Sequence, residues 1–213
     1  MGQETEAKFL LRDLKKIETR LQNLGAHLIQ PRTHEINLRF DTPNKDLLHK
    51  RRVLRLRRDK AAHLTYKDGT QFEDGALSRR EIEFTVDDFD SARQFIEALG
   101  YEIVFIYEKY RTTYDLPMAD PGSFGDREKL KMRLMLDELP YGDFVEIEGN
   151  LDQLKPVARQ IGLNWDDAIP ASYHELFDRV CSSRNLSFRD LTYENFKDIH
   201  VLPADFQVSP ADK

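Results

Sequence analysis

Glu35-Ile36-Asn37-Leu38-Arg39-Phe40-Asp41 alternates without a break between charged or polar residues and large apolar ones. Side chains on a β-strand point to opposite faces with period two. Glu35, Asn37, Arg39 and Asp41 therefore share one face, and Ile36, Leu38 and Phe40 the other. The same pattern recurs on both sides of this stretch. Glu4, Glu6 and Lys8 oppose Ala7 and Phe9; Arg55 and Arg57 oppose Leu54 and Leu56; Thr65 and Lys67 oppose Leu64 and Tyr66; Glu81 and Glu83 oppose Ile82 and Phe84. Further on, Lys109 and Arg111 flank Tyr110. Lys131, Arg133 and Asp137 oppose Met132, Leu134 and Leu136, and Glu146 and Glu148 oppose Val145 and Ile147. Eight strands are expected, each with one face that is charged rather than merely polar.

Helices fall between some of the strands. Leu14, Ile17, Leu21 and Leu24 keep helical spacing after an Asp13 N-cap and stop at Gly25. Phe89, Ala92, Ile96 and Leu99 do the same before Gly100, as do Leu151, Leu154, Ala158 and Ile161 before Gly162, with Pro156 inside that run. A modest internal repeat emerges, in which a Glu-x-Glu strand, a helix and an apolar-Gly stop recur from Glu4, Glu81 and Glu146. Residues 68–76 and 117–127 read as flexible loops, and residues 170–213 as short helices and a polar tail with a frayed end.

The chain has 213 residues with 33% charged and 40% hydrophobic, including 13 Phe and 8 Tyr, enough for one domain with a substantial core. A net charge of −6 argues against a dedicated nucleic-acid binder, and the basic stretch Lys50–Arg58 reads as a strand with two inward cations. No apolar run reaches the length of a membrane span, and the N-terminus lacks a signal-peptide core. Cys181 is the single cysteine, so no intrachain disulfide or thiolate zinc site forms. A cytoplasmic protein is expected. His34, His49, His63, His174 and His200 are scattered, and no metal role is expected of them; His27 falls at a helix-to-strand junction. Trp165 and Tyr173 are expected to pack under the C-terminal helices rather than to stack on a base.

The charged faces need a location. An open sheet solvates one face, but paired carboxylates and clustered arginines on eight strands favour closure into a barrel with a wet, charged lumen. Unpartnered charges in such a lumen would cost several kcal/mol per ion, so water, counter-charges, metal or an ionic ligand must fill it. Carboxylates of a Glu-x-Glu pair lie about 6.5–7 Å apart along a strand and select hard cations such as Mg²⁺ or Mn²⁺. The many Lys and Arg residues suit a polyanion carrying several phosphates. There is no Walker A or Gly-x-Gly-x-x-Gly loop, so side chains would hold the phosphates.

Glu4-Thr5-Glu6-Ala7-Lys8 resembles the Glu-x-Glu-x-Lys signature of the triphosphate tunnel metalloenzymes, the CYTH superfamily. That group includes class IV adenylyl cyclases, thiamine triphosphatases, inorganic tripolyphosphatases and fungal RNA triphosphatases. The likeness continues in order through Phe40-Asp41-Thr42-Pro43, Leu54-Arg55-Leu56-Arg57, Lys67, Glu81-x-Glu83, Lys109-x-Arg111, Asp137 and Gly142–Glu148.

The resemblance implies an α+β fold, an eight-stranded antiparallel β-barrel tunnel surrounded by helices, over residues 1–180, with 181–213 as a C-terminal extension. It implies Mg²⁺ or Mn²⁺ held by Glu4, Glu6, Glu146 and Glu148 with Asp137 helping. Lys8, Arg55, Arg57, Lys67, Lys109 and Arg111 would bind a triphosphate, Glu81 and Glu83 would line the tunnel, and Glu4, Glu6, Lys8 and Lys67 would form the reacting centre. Arg133 joins the phosphate contacts by strand phase. Arg39, where many relatives carry Tyr, adds a further cation. The implied activity is metal-dependent hydrolysis of a linear triphosphate. The alternatives are conversion of ATP to cyclic AMP and pyrophosphate, hydrolysis of thiamine triphosphate, and triphosphate binding without turnover. The partner is a triphosphate-containing small molecule, with no nucleic acid or membrane expected; the oligomeric state is open, a homodimer included.

Overall fold

The alternating strands do close on themselves. The computed structural model describes residues 2–118 and 131–212. Its elements are β1 (Gly2–Leu11), α1 (Leu14–Asn23), β2 (His27–Asp41), α2 (Asp46–His49), β3 (Val53–Arg58), β4 (Ala62–Glu73), β5 (Ala76–Val86), α3 (Phe89–Ala98) and β6 (Glu102–Pro117). These are followed by β7 (Lys131–Leu139), β8 (Gly142–Glu148), α4 (Leu151–Gln160), α5 (Tyr173–Arg184), α6 (Tyr193–Phe196) and α7 (Pro203–Phe206). The strands form a closed antiparallel barrel in the order β1-β5-β4-β3-β2-β6-β7-β8. Closure removes every sheet edge and turns the eight charged faces toward one another.

Register sets which charges meet. Across β1 and β5, Glu4 lies opposite Arg79; across β1 and β8, Glu6 opposes Glu148 and Lys8 opposes Glu146. Arg39 and Arg55 are opposed across β2 and β3, and Lys109 faces Glu35 across β6 and β2.

The apolar faces are covered from outside. Ile17 and Leu21 of α1 and Leu154, Val157 and Ala158 of α4 pack on Phe9, Leu134, Val145 and Ile147. Ile96 of α3 packs on Leu38, Phe40 and Leu56. Fully burying such a side chain contributes about 1.5–3 kcal/mol. The three long-range helices begin and end as their sequence signals require. Asp13, Asp88 and Asn150 accept hydrogen bonds from the first-turn N–H groups of Lys16, Ser91 and Asp152. At the stop after α1, Gly25 takes a φ of +77°, a left-handed conformation that other residues rarely adopt. Pro156 removes one backbone bond inside α4 without ending it.

Two expectations are corrected. Residues 68–76 are mostly strand: β4 continues to Glu73 past an irregularity between Asp68 and Gln71, and β5 begins at Ala76. The other expected loop lies almost wholly outside the described residues. The C-terminal segment is not frayed. Ala211 and Asp212 are buried, the Ala211 N–H donates to the Leu10 carbonyl, and the Asp212 carboxylate accepts from the N–H groups of Arg12 and Asp13 at 2.8 and 2.9 Å. Phe177, Phe196 and Phe206 of α5, α6 and α7 join Phe105, Tyr141 and Phe144 in a second core. This core ties the last forty or so residues to the barrel wall.

On the outer surface, burial and the neighbouring Glu138 push the Asp143 carboxyl up to about 6, with Arg32 offsetting only part. A carboxyl raised on folding favours the native state below its unfolded pKa, and that benefit is lost as pH rises through 6. Asp143→Asn is therefore expected to gain about 1 kcal/mol at pH 8, discounted for partial exposure, and nothing at pH 4. Urea unfolding at the two pH values checks this; an equal effect at both would refute it.

Candidate functional site

The inward faces enclose two connected chambers. The outer one, about 470 Å³, is lined by seven carboxylates (Glu4, Glu6, Glu35, Glu81, Glu83, Glu146 and Glu148) and four arginines. The inner one, about 90 Å³, is lined by seven cations, among them Lys8, Arg39, Lys67 and Lys109, and by only two carboxylates. Glu6, Arg55, Arg111 and Glu146 border both and form the waist. Charge is thus segregated along the tunnel axis, acidic outside and basic within.

The ion pairs follow from strand neighbours. The Lys67 ammonium donates to both Glu4 oxygens at 2.6 and 2.8 Å, and Arg79 donates to Glu4 at 3.1 Å and to Glu6 at 2.9 Å. Burial alone would raise the Glu4 carboxyl, but Lys67 and Arg79 override it and hold the group at about 2. Lys8 lies 3.3 Å from Glu146, and Arg111 donates to the other Glu146 oxygen at 2.5 Å. Despite burial, these cations keep Glu146 well below the usual carboxylate range. Arg55 and Arg57 both reach Glu83, at 3.3 and 3.4 Å.

Glu148 differs. Among the described residues its carboxylate makes no ion pair or hydrogen bond; Glu6 lies directly opposite it on β1 and Arg133 on β7. Burial and the nearby Glu4 push its carboxyl up to about 7. Like charges opposed on adjacent strands are destabilising. Among the described residues no three acidic or imidazole groups already stand at metal-ligand spacing. The donor chemistry nevertheless fits a hard divalent cation: seven carboxylates face the outer chamber, and they outnumber the four arginines there. Among the lining side chains, Nε of Arg55 is buried without a hydrogen-bond partner, and Glu35 Oε2 and Arg57 Nε have only longer ion-pair contacts, to Lys109 at 3.6 Å and to Asp59 at 3.4 Å. Buried polar groups of this kind call for a polar occupant.

Of the residues named from sequence, Glu4, Glu6, Glu81, Glu83, Glu146, Glu148, Arg55, Arg57, Arg111 and Arg133 meet at the outer chamber, and Lys8, Arg39, Lys67 and Lys109 at the inner one. Arg133 is half exposed and engaged by Asp115 at 3.3 Å. Asp137 is not gathered with Glu4, Glu6 and Glu148. It is fully buried among side chains that line the inner chamber, accepting from Lys109 at 3.0 Å, from Arg111 at 2.6 and 2.5 Å and from the Tyr173 hydroxyl at 2.7 Å. Trp165 packs on Phe9 and donates to the Asp74 carbonyl. Outside the tunnel, Arg58 lies over the Phe89 ring.

Sequence reading missed four contributors. Arg79 shares the strand phase of Glu81 and Glu83 but fell beside a stretch read as loop. Glu35, noted only for its alternation, lies 3.6 Å from the Lys109 ammonium. Tyr107 receives an Arg55 hydrogen bond at 3.3 Å, and Tyr173 lies under Lys8, 4.1 Å from ring centroid to ammonium.

Residues 2–160 match the CYTH domain. The chain belongs to the CYTH family. It is thus an enzyme of the CYTH type, in a family that uses divalent metals and binds triphosphates. A Methanocaldococcus jannaschii protein named "putative adenylate cyclase" is 28% identical over 174 residues, covering 81% of this chain and 97% of the relative. A Vibrio parahaemolyticus structure carrying the same name has a TM-score of 0.68 at 20% identity over 82% of this chain and 97% of its own. A Hippeastrum protein, described as a "putative adenylyl cyclase" with a dominant triphosphatase activity, has a TM-score of 0.53 at 15% identity over 97% of this chain and 100% of its own. These two structural likenesses speak for the fold. No described helix is long and apolar enough to cross a membrane.

Proposed function

We propose that this CYTH protein is a divalent-metal-dependent phosphohydrolase acting on a linear triphosphate in its tunnel. The observation that carries the reading is the axial charge separation: a basic inner end for phosphates and an acidic outer end for a metal. Glu4, Glu6 and Glu148 would hold the cation with Glu146 at the waist, and the ion would supply charge neutralisation and an activated water. Lys8, Lys67, Lys109, Arg55, Arg57 and Arg111 would bind the phosphoryl oxygens. The waist side chains would set the chain's line of attack, so catalysis is mainly positioning and electrostatic stabilisation. In the hydrolytic step a water oxygen bonds to phosphorus, the bridging P–O bond breaks, and the water's proton leaves to solvent or a tunnel carboxylate.

Two features bear on hydrolysis against cyclisation. No aromatic side chain lines the outer chamber among the described residues; its apolar surface there comes from Ile29 and Met135. A base would find little stacking surface, which favours the hydrolytic reading. The name of the Methanocaldococcus relative favours the alternative, in which the ribose 3′-hydroxyl attacks the α-phosphorus and pyrophosphate leaves. One assay tests both. The protein is incubated with tripolyphosphate, ATP and thiamine triphosphate under Mg²⁺ and under Mn²⁺, and the products are identified. Phosphate release supports the proposal, cyclic AMP replaces it with the alternative, and no product with any of them overturns both.

Arg57 faces the outer chamber with Glu83 and Glu35 as partners. Arg57→Ala is expected to raise KM and lower kcat together, by about tenfold each, because the guanidinium touches bound and transition-state phosphate alike. Steady-state kinetics on tripolyphosphate check this, and an unchanged profile counts against the inward role.

A further inference from the structure

Lys8 and Lys109, both inner cations, stand on strands that never pair: β7 and β8 lie between β6 and β1 in the barrel. Register between neighbours therefore does not fix how far apart their ammonium groups sit. One side chain from outside the barrel strands touches both. The Tyr173 ring, at the first position of α5, has the Lys8 ammonium 4.1 Å from its centroid and the Lys109 ammonium 5.4 Å away. Both lie inside the roughly 6 Å reach of a cation–π contact. The Tyr173 hydroxyl donates at 2.7 Å to Asp137 Oδ2, the same oxygen that accepts from Lys109 at 3.0 Å. Tyr173 lies past residue 160, where the match to the CYTH domain ends.

The ring is itself firmly held. Ser172 and Glu175 close a capping box at the start of α5, and the Tyr141 hydroxyl donates to the Tyr173 carbonyl at 2.9 Å. Burial, with Asp137 nearby, keeps the phenol well above its ordinary pKa, so it stays a donor. The chain just before it grips Lys8 as well: the Ile169 N–H donates to the Lys8 carbonyl at 2.8 Å, and the Lys8 ammonium donates to the Ala171 carbonyl at 3.0 Å. An aromatic face attracts a cation without cancelling its charge, whereas a carboxylate neutralises it. Glu146 stands 3.3 Å from the Lys8 ammonium. Without the ring, Lys8 is free to close on that carboxylate.

We propose that Tyr173 is a positioning residue that sets the spacing of Lys8 and Lys109 and keeps their charge available to phosphoryl oxygens. The inference rests on the triphosphate reading above and extends the site to a helix beyond the domain match. The aromatic face does the work, and the hydroxyl serves to aim it.

The test is calorimetric binding of tripolyphosphate to the intact protein in chelator, so that nothing turns over, with thermal melting as the check on folding. Tyr173→Phe keeps the ring and loses the donor to Asp137; it is expected to melt lower yet bind within about threefold of wild type. Tyr173→Leu keeps bulk without the aromatic face and is expected to weaken binding by about tenfold. In a Lys8→Ala background the same change is expected to add only about threefold, since Lys109 alone is then left to place. A Phe variant that loses as much affinity as the Leu variant assigns the effect to the hydroxyl and overturns the inference. A folded Leu variant that binds like wild type overturns it too, and leaves the triphosphate reading standing. Proton NMR of the wild type decides without any variant: the ε-methylene protons of Lys8 and Lys109 are expected upfield of the other lysines, in the Tyr173 ring current, and ordinary shifts overturn the placement. Failure of the wild type to bind tripolyphosphate, ATP or thiamine triphosphate, with or without Mg²⁺, removes the triphosphate reading and this inference with it.

Discussion

The Glu4→Gln, Glu6→Gln double variant is expected to lose about a thousandfold or more of metal-dependent turnover and to remain folded. The two carboxylates project from one face of β1 into the outer chamber, with Glu148 opposite Glu6. Neutral amides remove two charges from the set proposed to hold the cation, and several kcal/mol of transition-state stabilisation depend on that cation. The fold tolerates the change better than the chemistry does. Lys67 keeps Glu81 at 3.3 Å, and an amide oxygen still accepts from Lys67 and Arg79. A cost of about 1–3 kcal/mol is expected from the weakened pairs. Three measurements separate the effects: thermal melting for the fold, Mn²⁺ titration for the metal, and phosphate release for turnover. A folded double variant that keeps full metal-dependent turnover would show that these carboxylates are not its ligands.

The barrel was legible because its strands carry charge on one face and bulk on the other. Ile36, Leu38 and Phe40 had to be covered, Glu35, Asn37 and Arg39 had to be shielded from one another, and closing the sheet does both. Which strands become neighbours was not legible. That β1 sits between β5 and β8 depends on contacts more than sixty residues apart, and period two gives a residue's face without its partner across the sheet. Arg79 was missed for a related reason: turn-forming residues around Gly69 and Gly75 masked the extension of β4 and β5, so the Arg79-Glu81-Glu83 phase was read one member short. Depth was equally hidden. Arg133 and Asp137 share a strand face, yet one is half exposed at the outer mouth and the other is fully buried among the cations of the inner chamber. The start of α5 carries a capping box, Ser172 with Glu175, but that signature says nothing of the tunnel, because Tyr173 and His174 acquire their roles only through Asp137, Lys8 and Phe105 on distant strands.

Asp137→Ala is expected to destabilise the protein by about 3–5 kcal/mol, the usual consequence of breaking a buried charge network at one partner. Its carboxylate is wholly buried and satisfies four donor contacts, one from Lys109, two from Arg111 and one from Tyr173. Removing it leaves the Lys109 ammonium with Glu35 alone, at 3.6 Å. It also leaves a buried phenol without its acceptor and Arg111 with Glu146 as its only remaining ion-pair partner among the described residues. Against a total stability of about 5–15 kcal/mol, that is a large share. Asp137→Asn keeps the shape and one acceptor oxygen but loses the charge that balances two cations, so an intermediate loss is expected. Urea unfolding with and without Mg²⁺ distinguishes this positioning role from the metal-binding role that the family resemblance implies. A residue that holds the wall together costs stability equally in both conditions. A metal ligand would leave the metal-free protein unchanged and abolish only the added stability that Mg²⁺ confers. The second pattern would return Asp137 to the metal site.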